Sequence, residues 1–94
     1  MKLVVAVVDD ASVPGLARAL AEHGLVSTQI PSRGGFLAHP NTTFLIGVEA
    51  ARLEEVKRLL FEKAEAREVE HEGARVEVGG AVAFVLEAEA FWKL

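Results

Sequence analysis

The chain has 94 residues, enough for one domain spanning 1–94 and too few for a second core. A formal net charge of −4 argues against a duplex nucleic-acid binder, and zero cysteines exclude disulfides, thiolate catalysis and thiolate metal sites. Apolar residues make up 51%, rich for a domain that buries only about 60 to 65% of its unfolded surface, so the surplus needs a second place to hide.

The opening KLVVAVV, Lys2 to Val8, is a β-branched apolar run without alternation, the pattern of a strand covered on both faces. It is too short for a membrane span, and Asp9-Asp10 follow at once, so a cytoplasmic protein without signal peptide is expected. Ser12 reads as a helix N-cap with Pro14 in the first turn, and Gly24 as the left-handed stop. Leu25 to Pro31 reads as a second strand, Ser32 to Pro40 as a Gly/Pro loop, and Thr42 to Val48 as a third strand. A helix over Ala50 to Ala64 carries the apolar stripe Leu53, Val56, Leu59 and Leu60, with Glu54 and Arg58 spaced for an i,i+4 pair. Arg67 to Val78 alternates around Glu72-Gly73, a small hairpin too short to act as a lid, and Ala81 to Leu86 forms the last core strand. The tail EAEAFWKL reads as a short helical turn docking Phe91 and Trp92.

The order β-α-β-β-α-β is the ferredoxin-like α+β pattern, an antiparallel sheet with two helices on one face. Its other face ought to read polar, yet the first, third and last strands do not alternate. A bare apolar sheet face of that size is not tolerated on a monomer, so a cyclic oligomer with the open faces turned inward is expected. Gln29, Asn41 and Met1 are the only amide and thioether side chains, a depletion expected of a thermophile.

Enzyme signals are weak, and no catalytic residue is expected. His23, His39 and His71 fall in three elements without ligand spacing and read as solvated or helix-terminal. Asp9-Asp10 read as a polar turn, and neither Ser27 nor Ser32 has a base at an informative distance. The segment TQIPSRGGFLAHPNTT, residues 28–43, is different. Gly34 and Gly35 let backbone N–H groups approach a ligand, and Arg33 offers a fixed charge and a fork for phosphate. Phe36 and Leu37 would pack a base, and Asn41 can read an adenine edge with its paired donor and acceptor. As a loop residue, Asn41 is expected to bear truncation with little loss of stability.

Across nearly its whole length the chain resembles the cyclic di-AMP receptor family of PII-like signalling proteins. The likeness rests on MKLVVAVVDD, ST-x-IPSRGGFLAHPNTTFLIGVE, REVE and VEVGGAVAFVLEAEAF, most specifically on the GGFL, NTTF and GV block. It implies a homotrimer with dinucleotide pockets between subunits, and ligand contacts from Thr28, Gly35, Phe36, Leu37, Asn41 and Gly47. It also implies that Phe84 stacks on the ligand from the adjoining subunit. The chain departs from the family in a shortened loop, HEGAR at 71–75, and in Gly24 and Val26 where an asparagine and an arginine are usual. Lys93 stands in place of a glutamine and brings a charge to the same site. The reading is a cytoplasmic trimeric sensor of cyclic di-AMP or another adenine nucleotide, without cofactor, membrane or nucleic acid, that signals to a downstream protein. Its rivals are a mononucleotide-binding PII-like regulator, a divalent-metal-binding trimer of the same fold, and an interaction trimer whose pocket has decayed.

Overall fold

The computed structural model describes residues 1–33, 40–64, 67–71, 74–78, 80–90 and 92, with only the backbone pairing described for 67–71 and 74–78. The elements in chain order are β1 (Lys2–Asp9), α1 (Val13–Glu22), β2 (Ser27–Ser32), β3 (Asn41–Val48), α2 (Leu53–Lys63), β4 (Arg67–His71), β5 (Ala74–Val78) and β6 (Ala81–Glu87). Four strands form one antiparallel sheet in the order β2-β3-β1-β6, and β4 pairs with β5 as the expected hairpin. The β-α-β-β-α-β order and the α+β ferredoxin-like fold are as the sequence predicts.

One face of the sheet carries the core. Val4, Ala6 and Val8 from β1 and Phe44, Ile46 and Val48 from β3 are buried with Leu16, Ala19 and Leu20 of α1 and Val56, Leu59 and Leu60 of α2. Even-numbered residues of β1 and β3 therefore look at the helices, and odd-numbered ones look away. Pro31 sits in β2 because that strand lies at the sheet's edge, where a missing N–H costs no ladder bond.

Both helix ends of α1 have local causes. Gly24 adopts φ +68, with its N–H bonded to the Ala21 carbonyl at 3.0 Å and the Leu25 N–H to the Leu20 carbonyl at 2.9 Å. This pair of bonds is a Schellman motif, and buried Leu25 and Leu20 supply its apolar contact. At the other end Ser12 holds the N-cap position but makes no side-chain cap bond. A 3-10 turn over Asp10–Ser12 precedes the helix, holds Ser12 in helical conformation and bonds the Val13 N–H to the Asp10 carbonyl.

Three further expectations are corrected. Leu25 leaves the second strand, because it is committed to the α1 stop, and β2 starts at Ser27. Arg58 lies 4.0 Å from Glu62 in place of the expected pair with Glu54. The tail does not turn helical at once: β6 runs to Glu87, and the Ala88 N–H bonds the Met1 carbonyl at 3.1 Å, which keeps the chain extended. Trp92 is 79% exposed where a docked ring was expected, while Phe91 lies outside the described residues.

Candidate ligand-binding site

The face of the sheet turned away from the helices is organised in rows by strand register. Phe84, Val5, Leu45 and Thr28 form one row from β6 to β2, and Val82, Val7, Thr43 and Ile30 form the next. Leu86, Leu3 and Gly47 lie beyond the first of these, and Asp9, Asn41 and Ser32 lie beyond the second. Its large side chains are strongly exposed at Ile30, Phe84 and Leu86, and Val26 at its rim is 79% exposed. Each of the three half-exposed side chains leaves about half of the 1.5 to 3 kcal/mol of full burial unrealised, and a contiguous apolar face of this kind marks a surface that something covers. The apolar open face inferred from the missing alternation is therefore present.

Four of the sequence-predicted contacts, Thr28, Asn41, Gly47 and Phe84, fall on this face. They do not gather in one place. Thr28 and Gly47 line a recess of about 460 Å³ with Met1, Leu3, Val26, Leu45, Ala88 and Ala90. Lys2, also in its wall, is ion-paired with Glu87, its partner in register on β6. The hydrogen bond from Lys2 lowers the Glu87 pKa. Asn41 is six residues from Gly47 along β3, about 20 Å at the usual strand rise. Phe84 shares a row with Thr28 but stands three strands away, about 14 Å across the sheet. Arg33 is exposed beyond the end of β2, on the Asn41 side. Gly34, Gly35, Phe36, Leu37 and Lys93 lie outside the described residues, as does His39.

Asn41 itself is not a loop residue. It opens β3, is 2% exposed, and lies directly between Asp9 on β1 and Ser32 on β2. Its side-chain carbonyl accepts a hydrogen bond from the Ser32 hydroxyl. The expectation that truncation leaves stability untouched is accordingly withdrawn, because a buried, bonded amide is part of the fold. Asp9, 1% exposed, is equally buried, whereas Asp10 makes the expected turn and accepts from Thr42 Oγ1 at 3.0 Å. Sequence reasoning took Asp9 for part of a polar turn and weighed Ser32 only as a nucleophile, and so did not bring them together with Asn41. The alternation Thr28, Ile30, Ser32 was the signal that sets Ser32 on the same face as the odd-numbered residues of β3, and the register then places it opposite Asn41.

At the recess end, on the helical side, His23, Arg52 and Glu55 form an ionic clamp between the α1 stop and the α2 start. The Arg52 guanidinium donates to both Glu55 oxygens at 3.0 and 2.9 Å and to the His23 carbonyl at 2.7 Å. His23 Nδ1 lies 2.7 Å from Glu55 Oε2. Arg52 first and His23 second hold the Glu55 carboxyl at about 2, below its ordinary 4.5. A depressed carboxylate stabilises the fold above its unfolded value and loses that contribution as pH falls towards the folded one. The denaturant midpoint is therefore expected to fall between pH 4.5 and 2, and Glu55→Gln to flatten that limb. Equal acid limbs in the two proteins, followed by circular dichroism, count against the clamp. Among the described residues no group of three or more His, Cys, Asp and Glu is placed to hold a metal ion. None of the described helices is long and apolar enough to cross a membrane.

Comparison with known proteins agrees with this architecture. The family model for the cyclic-di-AMP receptor matches residues 1–70. A crystal structure described as a functionally unknown protein from Pediococcus pentosaceus ATCC 25745 superposes with a TM-score of 0.83. It is 34% identical, over 99% of this chain and 96% of that one. The ferredoxin-like fold with its open apolar face is that of PII-like proteins, and this chain belongs to the cyclic-di-AMP receptor family.

Proposed function

We propose that the chain is a trimeric signalling protein that binds cyclic di-AMP in pockets between subunits and passes the bound state to a partner protein. The observation that carries the reading is the spread of the candidate contacts over one open face. Thr28 and Phe84 occupy opposite edge strands, and Asn41 and Gly47 occupy opposite ends of β3. No small ligand touches all four within one subunit, since about 14 to 20 Å separates them. Two chains meeting face to edge bring Phe84 of one against Thr28 and Gly47 of the other, and the same contact covers the exposed valines and leucines. Arg33 then serves a phosphate through its guanidinium fork, and Gly34, Gly35, Phe36, Leu37 and Lys93 are the further ligand contacts we propose.

Calorimetric titration with cyclic di-AMP, cyclic di-GMP, ATP and AMP tests it, with light scattering on the same sample. Saturable binding of cyclic di-AMP at one ligand per subunit is expected. A trimer that prefers a mononucleotide, or that takes up no nucleotide, overturns the ligand. Hydrogen exchange on the same complex is expected to show no new protection confined to Glu70 through Arg75. The β4–β5 pairing is only five residues long, from Arg67 opposite Val78 to His71 opposite Ala74, which is too little reach for a lid.

A further inference from the structure

We infer that Arg52 is a positioning residue for the ligand recess, holding the turn between α1 and β2 so that Val26 stands in the recess wall. The inference rests on the nucleotide site proposed above and concerns what shapes its recess.

Thr28 and Gly47 line the recess, and strand pairing holds each of them: Thr28 opposite Leu45 on β3, Gly47 opposite Leu3 on β1. Val26, in the same wall, stands outside that ladder. The β2–β3 register ends at Ser27 opposite Ile46, one residue short of it. The turn at Gly24 and Leu25 therefore sets where Val26 lies. Leu25, buried in the core, fastens that turn from the inside. Arg52 fastens it from the outside, where its guanidinium donates to the His23 carbonyl at 2.7 Å. That carbonyl is among those a helix end leaves without an intrahelical partner, and a cation there also suits the helix dipole.

The guanidinium is itself held in place. Nε and Nη2 donate to the two Glu55 oxygens in the first turn of α2, and a bidentate pair fixes direction as well as distance. The Arg52 backbone N–H bonds the Glu49 carbonyl at 2.8 Å, in a 3-10 turn over Ala50–Arg52. Arg52 thus belongs to the connection that follows Gly47, and it grips the connection that precedes Val26. One side chain spans the place where β2 and β3 part. A half-exposed ion pair adds modestly to stability, so its main consequence is geometric. Without it the turn is freer, and a ligand packing on Val26 has to order the turn as it binds, at a cost in affinity.

Calorimetry with cyclic di-AMP and hydrogen exchange test this on the full chain, with Arg52→Gln, Arg52→Lys and Val56→Ala. Arg52→Gln is expected to weaken binding about 3- to 10-fold, the span of one hydrogen bond. The Gly24 and Leu25 amides, bonded to the Ala21 and Leu20 carbonyls, should exchange faster in the free variant and regain protection with cyclic di-AMP bound. Arg52→Lys keeps a cation and should recover part of both effects. Val56→Ala opens a gap in the core away from the recess, and should lower the melting temperature while leaving affinity unchanged. An Arg52→Gln chain that binds as tightly as the wild type overturns the role. So does a Val56→Ala chain weakened as much, since general loosening then accounts for both. A wild type that takes up no cyclic di-AMP sinks the proposed function and this role with it. A wild type that binds, with Arg52→Gln its equal, sinks the positioning role alone.

Discussion

Val5→Asp is expected to leave a folded monomer in place of the proposed trimer, and to abolish the proposed cyclic di-AMP binding with it. Val5 lies at the middle of the open face, with Phe84 and Leu45 as its direct cross-strand neighbours. It points away from the helices and is partly exposed, so in a lone subunit the new carboxylate can reach water and costs far less than at a core position. In an assembly that turns the open faces inward, three carboxylates approach one axis in a dry environment. An uncompensated charge there costs several kcal/mol per copy, enough to dissolve the contact. Val4→Asp, one residue away, should behave in the opposite manner: Val4 is buried in the helix-facing core, and a carboxylate there unfolds the chain. Light scattering and circular dichroism on the two variants separate oligomerisation from folding. A Val5→Asp chain that stays trimeric, or a wild type that runs as a monomer, removes both the buried-face argument and the intersubunit site.

The parity that separates Val4 from Val5 also explains why the fold was legible. β1 and β3 declared themselves by β-branched apolar composition and the β4–β5 hairpin by alternation, and Gly24 declared the end of α1 by the conformation only glycine takes readily. The lack of alternation in β1 and β3 was itself informative. A strand apolar on both sides needs cover on both sides, and one chain supplies helices for only one. What failed was finer. Ser12 was assigned a cap from its residue type, but the 3-10 turn before it holds Ser12 in a helical conformation and no side-chain cap bond forms. Trp92 was docked on its own chain because a large aromatic near a terminus usually finds a core, whereas here it stands exposed.

The candidate site was legible as residue types and hidden as geometry. Thr28, Gly47, Phe84 and Asn41 share a face only because of a register that pairs Val5 with both Leu45 and Phe84. That register involves partners nearly 80 residues apart in sequence, and no local pattern encodes it. Nor could the sequence tell that Asn41 is buried, since an Asn after a Pro in a Gly-rich segment reads as a turn. Its place between Asp9 and Ser32 is a tertiary fact.

That burial changes what Asn41→Ala should do. The truncation removes the acceptor of the Ser32 hydroxyl and a buried amide, and such a loss costs about 1 to 3 kcal/mol. For a domain of this size the melting temperature falls by about 4 to 8 °C for each kcal/mol. A lowered melting temperature is thus expected whether or not Asn41 touches a ligand, and it no longer separates the two roles. Affinity does. If the amide donates to a phosphate or another charged group, its loss removes about 1.5 to 3 kcal/mol of binding; for a neutral ring nitrogen it removes about 0.5 to 1.5. Together these limits give a weakening of roughly 2- to 150-fold. Calorimetry has to be run well below the melting transition of the variant, so that the unfolded fraction does not masquerade as lost affinity. Circular dichroism at the same temperature confirms that the variant is folded. A folded Asn41→Ala chain that binds cyclic di-AMP as tightly as the wild type retires Asn41 as a ligand contact. It would leave the Asp9, Asn41 and Ser32 row as a clasp between β1, β3 and β2.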